Sequence, residues 1–286
     1  MSGLQPSMST SPDLFIYVVT SNHEPYIVEA LQSISRQQTD YVFSVHVQVD
    51  GSVDDTFDKA SRYCERYGWE CCETRDSLKA RGAMIRHRRE LIKKSDSRYW
   101  CVLEGDDYWG DSSKIQKQIN FMDSRPEFAI SFHDVAALQM NDRGNHTFVP
   151  WASAQRGLRD FSVEELRTFQ FAWLHLSSLF FRNLPLDEPV EYCIGGLGDM
   201  WLPALYADHG GAGYVRNIEP SVYRITGEGM WTGISERDKL SLKLTNYSRV
   251  LSYYSRIGRL SEAKFVIRTR ILPYLISLAG GEKGDR

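Results

Sequence analysis

The 286-residue chain lacks the features of a membrane-spanning or a disulfide-stabilised protein. No apolar run reaches the roughly 20 residues that a helix needs to cross a bilayer. Its five cysteines are odd in number and irregular in spacing, and they match neither a disulfide framework nor a CxxC or zinc-finger pattern. Free thiols of this kind are typical of a reducing compartment, so the sequence predicts a cytoplasmic protein.

The chain also has no large excess of charge of one sign. It carries 34 basic and 37 acidic residues, a formal net charge of -3, so no overall field draws it to nucleic acid, and we expect no such partner. Residues 1–12 are small and polar and hold no apolar signal core. We therefore predict a disordered leader there rather than a secretion signal.

What the sequence does contain is an alternation of strand and helix patterns. The predicted strands are 14–20, 43–49 and 99–103, and the predicted helices between them are 24–37, 54–67 and 86–94. Such alternation is typical of an α/β fold with a largely parallel sheet. Since no linker interrupts the chain, we predict one main domain over 13–233 and a C-terminal helical extension over 234–286.

Three of the predicted strands end on polar or acidic residues. The tips are Thr20-Ser21-Asn22, Asp50-Gly51-Ser52 and Glu104-Gly105-Asp106-Asp107. The carboxyl ends of parallel strands meet at one edge of a sheet and bind ligands there. We therefore expect the three tips to converge on one crevice.

The third tip, residues 104–107, carries three carboxylates and is called the acidic tip below. A desolvated carboxylate costs several kcal/mol unless it is paired or binds a metal, so the tip is expected at an open strand end. Carboxylate oxygen is the ligand that Mg²⁺ and Mn²⁺ prefer, and such ions often hold a diphosphate. The sequence predicts a divalent cation site here; the alternative is a solvated loop that caps the next helix.

Six segments, in order, resemble the large family 2 glycosyltransferases, which have the A-type glycosyltransferase fold. The segments are 18–24, 49–52, 104–109, 177–182, 198–199 and 223–231. Residues 104–109 read EGDDYW, which is similar to the DxD motif of a bacterial subgroup. Each motif alone is a weak indication, but six motifs in the order of the family make the resemblance specific. The resemblance implies one Rossmann-like mixed sheet flanked by helices.

The same resemblance implies an activity. It is the inverting transfer of a sugar from a UDP- or dTDP-sugar to a hydroxyl of a glycan, in bacterial surface polysaccharide synthesis. Two alternatives stay open: a non-catalytic nucleotide-sugar-binding protein that has lost its base, and a sugar nucleotidyltransferase. The second needs a Gly-rich signature with Arg and Lys near the first strand, which residues 21–24 do not supply.

The resemblance also implies roles for particular residues. Asp106 is expected to hold Mg²⁺ or Mn²⁺ against the donor diphosphate, and Asp50 to accept the N3–H of uracil or thymine. Asp199 is expected to be the general base that deprotonates the acceptor hydroxyl. The other expected donor-binding residues are Thr20, Asn22, Glu104, Asp107, Arg224 and Trp231.

Several of these residues have a structural alternative. Asp50 fits an ordinary turn, and Asp199 fits the N-cap of a helix. The alternative role of Asp107 is to hold its loop in place. The alternative for Trp231 is core packing, which is more common for tryptophan than stacking on a sugar. His175 and His133 are interpreted as core residues rather than as catalysts.

Three positions depart from the family pattern. Glu104 replaces the usual first aspartate of DxD, and Gly198 replaces the usual glutamate before the base. Thr226 stands where the subgroup often has histidine.

The segment 263–276 mixes basic and apolar residues. This pattern predicts a peripheral contact with the inner face of the membrane, which would suit a lipid-linked glycan acceptor. Packing on the catalytic domain, or the seam of a homodimer, is the alternative.

Overall fold

The computed structural model describes residues 11–74, 81–140, 146–150, 157–171, 174–186, 188–194, 198–226, 231 and 233–280. Most of the predicted leader, residues 1–10, lies outside this range. The strands are β1 (Leu14–Thr20), β2 (Phe43–Asp50), β3 (Glu70–Thr74), β4 (Tyr99–Glu104), β5 (Phe128–Phe132), β6 (Val135–Met140), β7 (His146–Pro150), β8 (Phe180–Arg182), β9 (Gly211–Tyr214) and β10 (Ser221–Ile225).

Helices flank these strands and close the chain. They are α1 (Ile27–Ser35), α2 (Thr56–Tyr67), α3 (Arg81–Ser95), α4 (Lys114–Ser124), α5 (Val163–Arg167), α6 (Val190–Cys193), α7 (Gly198–Tyr206), α8 (Glu236–Arg256), α9 (Leu260–Val266) and α10 (Leu272–Gly280). A 3₁₀ turn at Leu176–Ser178 precedes β8, and a π-helical stretch at Ile267–Ile271 joins α9 to α10.

Seven strands form one mixed sheet in the order β3-β2-β1-β4-β8-β5-β9. The first four are parallel, β8 is antiparallel to both of its neighbours, and β9 is parallel to β5. The predicted α/β fold with a mixed sheet and helical flanks is confirmed. The parallel half of the sheet, β3-β2-β1-β4, is the part that the strand and helix patterns predicted.

The central strand β1 is buried on both faces, which explains its continuous apolar run. Leu14, Ile16 and Val18 pack with α1 and α4 on one face, whereas Phe15 and Tyr17 belong to the larger core on the other face.

A second, three-stranded sheet in the order β10-β6-β7 was not predicted. It touches the acidic tip, because Tyr108 and Val222 of β10 exchange two backbone hydrogen bonds of 2.8 and 3.2 Å. The small sheet thus fixes the chain that leaves the acidic tip.

The C-terminal helices α8 and α9 pack against the rest of the chain, at α6 and α7. Tyr254 of α8 and Val266 of α9 are buried in the same core as Trp201 of α7. Arg256 forms a 2.8 Å ion pair with Glu191 of α6. Within the described part of the chain, no helix is both long and apolar enough to cross a bilayer.

One lysine is buried where α4 packs on the sheet. Lys114, the first residue of α4, is fully buried, and its Nζ donates to Gln118 Oε1 at 2.5 Å. The ammonium group lies 4.5 Å from the ring centre of Trp109 and 3.9 Å from that of Phe180. Burial lowers the pKa of Lys114 to about 7.

This lysine should make the stability of the protein depend on alkaline pH. The ordinary pKa is 10.5, so between pH 7 and 10.5 the unfolded chain binds a proton that the folded chain does not, and stability rises with pH. We expect Lys114 to add about 2 kcal/mol to the free energy of unfolding between pH 7 and pH 9. Urea unfolding of wild type and Lys114→Met at both pH values measures it. Parallel pH dependences would contradict the prediction.

Candidate functional site

The three polar strand tips do meet at one edge of the sheet. In the parallel register, Thr20 of β1 lies beside Val49 of β2, and Val19 lies beside Glu104 of β4. The carboxyl ends of β1, β2 and β4 therefore open on a common crevice, as the sequence predicts.

The loops after β1 and β2 are tied together at this crevice by Asn22. Its backbone N–H donates to Ser52 Oγ at 3.0 Å, and its Oδ1 accepts from Val53 N at 2.9 Å. Its φ of 53° lies in the left-handed region, which asparagine tolerates. The side chain of Asn22 thus holds the loops; the predicted contact with a donor stays a prediction.

Asp50 ends β2 at the rim of the crevice, half-buried. The next residue, Gly51, has a φ of 61°, and its N–H donates to Thr74 O of β3 at 2.8 Å. Burial raises the pKa of Tyr17 above its ordinary range; the nearby Arg88 opposes this shift and Asp50 adds to it. Asp50 therefore lies near Tyr17, a residue that the sequence did not associate with it.

The acidic tip turns back into the protein at Asp107. This residue is fully buried, and its Oδ1 accepts from Arg224 N at 3.1 Å. Its Oδ2 has no hydrogen-bond partner in the described part of the chain. His175 Nε2 lies 3.8 Å from that oxygen and 4.0 Å from Glu104 Oε2.

Crowding shifts the proton affinities of these groups. Removal from bulk water, then the charges of Asp106 and Asp199, raise the pKa of Glu104 to about 8. Burial, then Glu104 and Asp106, raise the pKa of Asp107 well above its usual range, against the opposing effect of Arg224. Burial lowers the pKa of His175 to about 4. Carboxylates crowded in this way repel one another when ionised, so a bound cation or a proton stabilises them.

One group of three side chains in the described residues is placed to hold a metal ion. Ligand atoms of Glu104, Asp107 and His175 all lie within 4.8 Å of one another. Asp106, the predicted metal ligand, is not in this group: its Oδ2 lies 3.7 Å from His23 Nε2. Its role stays a prediction. His175 is buried, as expected of a core histidine, and its Nε2 also lies close to the acidic tip.

Two more buried polar atoms lie close to the acidic tip. Thr20 Oγ1 and His23 Nδ1 have no hydrogen-bond partner among the residues that the structure describes. A Cβ atom added to Gly105 would lie 3.2 Å from His23 Nδ1. Unpaired buried polar atoms are costly, so this wall of the crevice is suited to a polar ligand.

Arg224, predicted to bind diphosphate, is engaged with the protein. Its guanidinium pairs with Glu29 and donates to the carbonyl oxygen of Asp106. The ring centres of Tyr26 and Tyr108 lie 5.1 and 4.7 Å from it. Arg224 thus holds the acidic tip in place, and its diphosphate contact stays a prediction.

Asp199 lies in the first turn of α7 and faces the crevice. Its Oδ1 accepts from the N–H of the next residue, Met200, at 2.9 Å. Burial and the four carboxylates of the crevice, Asp199 among them, raise the pKa of Tyr223. The predicted base is therefore close to the acidic tip.

Trp231 lies beside α8. Lys243 Nζ is 5.1 Å and Lys239 Nζ 5.7 Å from its ring centre. The preceding residues, 227–230, lie outside the described residues. The role of Trp231 in donor binding stays a prediction.

A mixed sheet whose parallel half brings carboxylate-bearing tips to one crevice defines the class of A-type glycosyltransferase folds. The profile described as Glycosyl transferase family 2 matches residues 15–179, more than half of the sequence, and the chain belongs to this family.

Solved structures share the fold. TarS 1-349 of S. aureus in complex with UDP-GlcNAc has a TM-score of 0.60 at 15% identity, over 94% of this chain and 74% of that one. The mannosyltransferase PcManGT from Pyrobaculum calidifontis, in complex with GDP-Man and Mn²⁺, has a TM-score of 0.56 at 13% identity, over 99% of this chain and 79% of that one.

Sequence relatives come from mycobacteria. The uncharacterized proteins Rv1520 of Mycobacterium tuberculosis and Mb1547 of Mycobacterium bovis are each 26% identical over 219 residues, which is 76% of this chain. The match spans 60% of the length of these relatives.

Proposed function

We propose that the protein is an inverting glycosyltransferase that moves a sugar from a nucleotide-sugar to a hydroxyl of a glycan. The observation that carries the proposal is the crevice in which Glu104, Asp107 and His175 meet within reach of the charge of Asp199. Family membership supports the reaction class, and the nucleotide-sugar complexes of TarS and PcManGT support the type of donor.

The donor base belongs at the β2 end of the crevice. Asp50 accepts the N3–H of uracil or thymine there, which makes UDP- and dTDP-sugars the expected donors. A base without a donor group at that position would leave the carboxylate unpaired. The unpartnered Thr20 Oγ1, at the end of β1, is available to a polar group of the same ligand.

A divalent cation, Mg²⁺ or Mn²⁺, fits the acidic tip. The fit rests on Asp107, whose buried Oδ2 has no partner in the described residues, and on the oxygen-rich donor set around it. When bound, the ion neutralises charge on the departing nucleoside diphosphate. Asp106, at the mouth of the tip, is our candidate for the contact on the diphosphate side.

Asp199 then acts on the acceptor. Its carboxylate takes the proton of the acceptor hydroxyl while that oxygen attacks the anomeric carbon on the face opposite the leaving group. The hydrogen bond to Met200 N directs one carboxylate oxygen and holds its position at the start of α7.

The acceptor is a glycan or a lipid-linked glycan of a bacterial surface polysaccharide, and the C-terminal helices support this choice. Lys264 and Arg268 are exposed, and the exposed apolar side chains of Leu272, Leu275 and Ile276 follow on α10. A basic and apolar surface of this kind binds anionic membranes at the inner face.

Membrane binding is expected to need the apolar part of α10. Leu275→Glu with Ile276→Glu should weaken binding to vesicles containing anionic lipid at least tenfold, because burial of each side chain contributes about 1.5–3 kcal/mol. Vesicle sedimentation measures it. The control is Val190→Glu with Ile194→Glu, two similarly exposed aliphatic residues at the first residue of α6 and just after its end. Equal binding by both double variants would remove the proposed contact.

A donor panel tests the proposed function. Wild type, Asp106→Ala and Asp40→Ala are incubated with UDP-, dTDP- and GDP-sugars and Mn²⁺, and the release of nucleoside diphosphate is followed. We expect one donor class to be consumed, with chelation or Asp106→Ala stopping the reaction. Asp40, an exposed carboxylate, should be dispensable. Nucleotide binding without turnover of any donor would favour a non-catalytic binding protein.

A further inference from the structure

His175 is held with one ring nitrogen aimed at the acidic tip. It immediately precedes the turn at Leu176–Ser178 and is 93% buried, with 7% of its surface exposed. Its ring lies 4.6 Å, centre to centre, from that of Tyr223. Nε2 points toward Asp107 Oδ2 and Glu104 Oε2, at 3.8 and 4.0 Å. The packing leaves the ring little freedom to turn away.

The opposite ring nitrogen has the partner that a metal-bound histidine needs. His175 Nδ1 lies 2.9 Å from Ser177 Oγ, and it accepts a hydrogen bond from Ser177 N at 3.3 Å. A cation on Nε2 requires the other tautomer, in which the proton is on Nδ1 and Ser177 Oγ accepts it. In that tautomer Nε2 is the unprotonated ring nitrogen, which is the form of imidazole that binds a metal ion. Metal-binding histidines are commonly fixed in this way by a hydrogen bond to the other nitrogen.

Asp107 is the second, independent observation. It is fully buried, and its Oδ2, on the His175 side, has no hydrogen-bond partner in the described parts of the chain. Its Oδ1 is already used by Arg224 N. A buried carboxylate oxygen without a partner is costly, and a cation between it and Nε2 would satisfy this oxygen.

We propose that His175 is a protein ligand of the cation, together with Glu104 and Asp107, and that its imidazole makes the site prefer transition-metal ions such as Mn²⁺ to Mg²⁺. Mg²⁺ takes oxygen ligands almost entirely, whereas imidazole nitrogen suits first-row transition metals. The proposal deepens the proposed function, on which it rests, because it names the ligand set of the same site.

Cation binding is measured on the full chain without donor, so the result does not depend on transfer activity. Mn²⁺ is titrated by electron paramagnetic resonance, and Mg²⁺ by its competition with Mn²⁺. We expect wild type to bind Mn²⁺ at least tenfold more tightly than Mg²⁺. His175→Gln should weaken Mn²⁺ binding at least tenfold and Mg²⁺ binding less than threefold.

His133→Gln is the matched control, since His133 is a buried histidine outside the group of ligands. It should leave both affinities unchanged. If His175→Gln binds Mn²⁺ as wild type does, or if wild type shows no Mn²⁺ binding, the proposal is overturned. Binding through Asp106 alone would give the first of these results.

A spectroscopic measurement on wild type keeps the test valid if His175→Gln does not fold. Electron spin-echo modulation of the Mn²⁺-bound protein should show coupling to ¹⁴N of an imidazole; a spectrum without nitrogen coupling overturns the proposal. Nitrogen coupling in a protein that transfers no sugar would refute the proposed function alone. Sugar transfer with nitrogen-free Mn²⁺ would refute the role of His175 alone.

Discussion

Asp199→Asn is expected to lower the rate of sugar transfer at least 10³-fold while donor affinity changes less than threefold. General-base catalysis contributes roughly 10²–10⁴-fold, and an amide cannot take up the proton of the acceptor hydroxyl at neutral pH. The amide keeps an oxygen that accepts from Met200 N, a bond of 2.9 Å in the wild type. The start of α7 should therefore remain folded.

Two measurements separate chemistry from binding. Product formation at saturating donor and acceptor gives kcat, and calorimetric titration with the nucleoside diphosphate gives affinity. The control is Asp55→Asn, which removes the same charge from an exposed residue at the start of α2. A transfer rate within tenfold of wild type in Asp199→Asn would mean that another group accepts the proton.

The parallel half of the fold was predictable because the residue pattern of each strand indicates which of its faces are buried. β1 is apolar on both faces because it is buried on both faces, and it stops being apolar at Thr20, where the crevice opens. β2 instead alternates apolar and polar residues up to Asp50, and β4 is a mostly apolar run up to Glu104. Local patterns were sufficient there, since neighbouring strands end at the same edge.

The partners of the site residues were not predictable in the same way. Arg224 was expected to bind diphosphate because a guanidinium suits phosphate oxygens, yet it is paired with Glu29, 195 positions away in the chain. His175 lies between two leucines and fits the pattern of a core histidine. A sequence pattern gives the burial of a ring but not which of its two nitrogens faces the crevice.

The C-terminal segment shows a similar limit. Its mixture of basic and apolar residues predicts an amphipathic surface, but not which apolar residues are covered. In the structure Val266 and Ile271 are buried in the core, whereas Leu275 and Ile276 are exposed. One face of the segment therefore packs on the rest of the chain and another face is exposed, and the membrane contact and the dimer seam stay predictions.

Gly105→Ala is expected to damage the site more than any other single-methyl change in it. A Cβ at this position would lie 2.5 Å from Thr20 Cβ and 3.2 Å from His23 Nδ1. Thr20 is fixed in β1, so the acidic tip must move instead. We expect a loss of roughly 2 kcal/mol in stability, typical of overpacking, which lowers Tm by about 5 °C. Mn²⁺ and donor affinity should fall more than tenfold, because the carboxylates shift with the chain.

Gly198→Ala is the matched comparison at the other side of the crevice. There the nearest atoms to an added Cβ are Tyr192 OH and Cε2, at 3.8 and 3.9 Å, which is ordinary contact. Gly198 begins α7, where alanine is the better helix former by up to about 1 kcal/mol. We expect Tm to stay or rise and both affinities to stay within threefold. Calorimetry and Mn²⁺ titration of the two variants side by side decide the matter. If both alanines were tolerated, the close packing of Gly105 against Thr20 would not control the acidic tip.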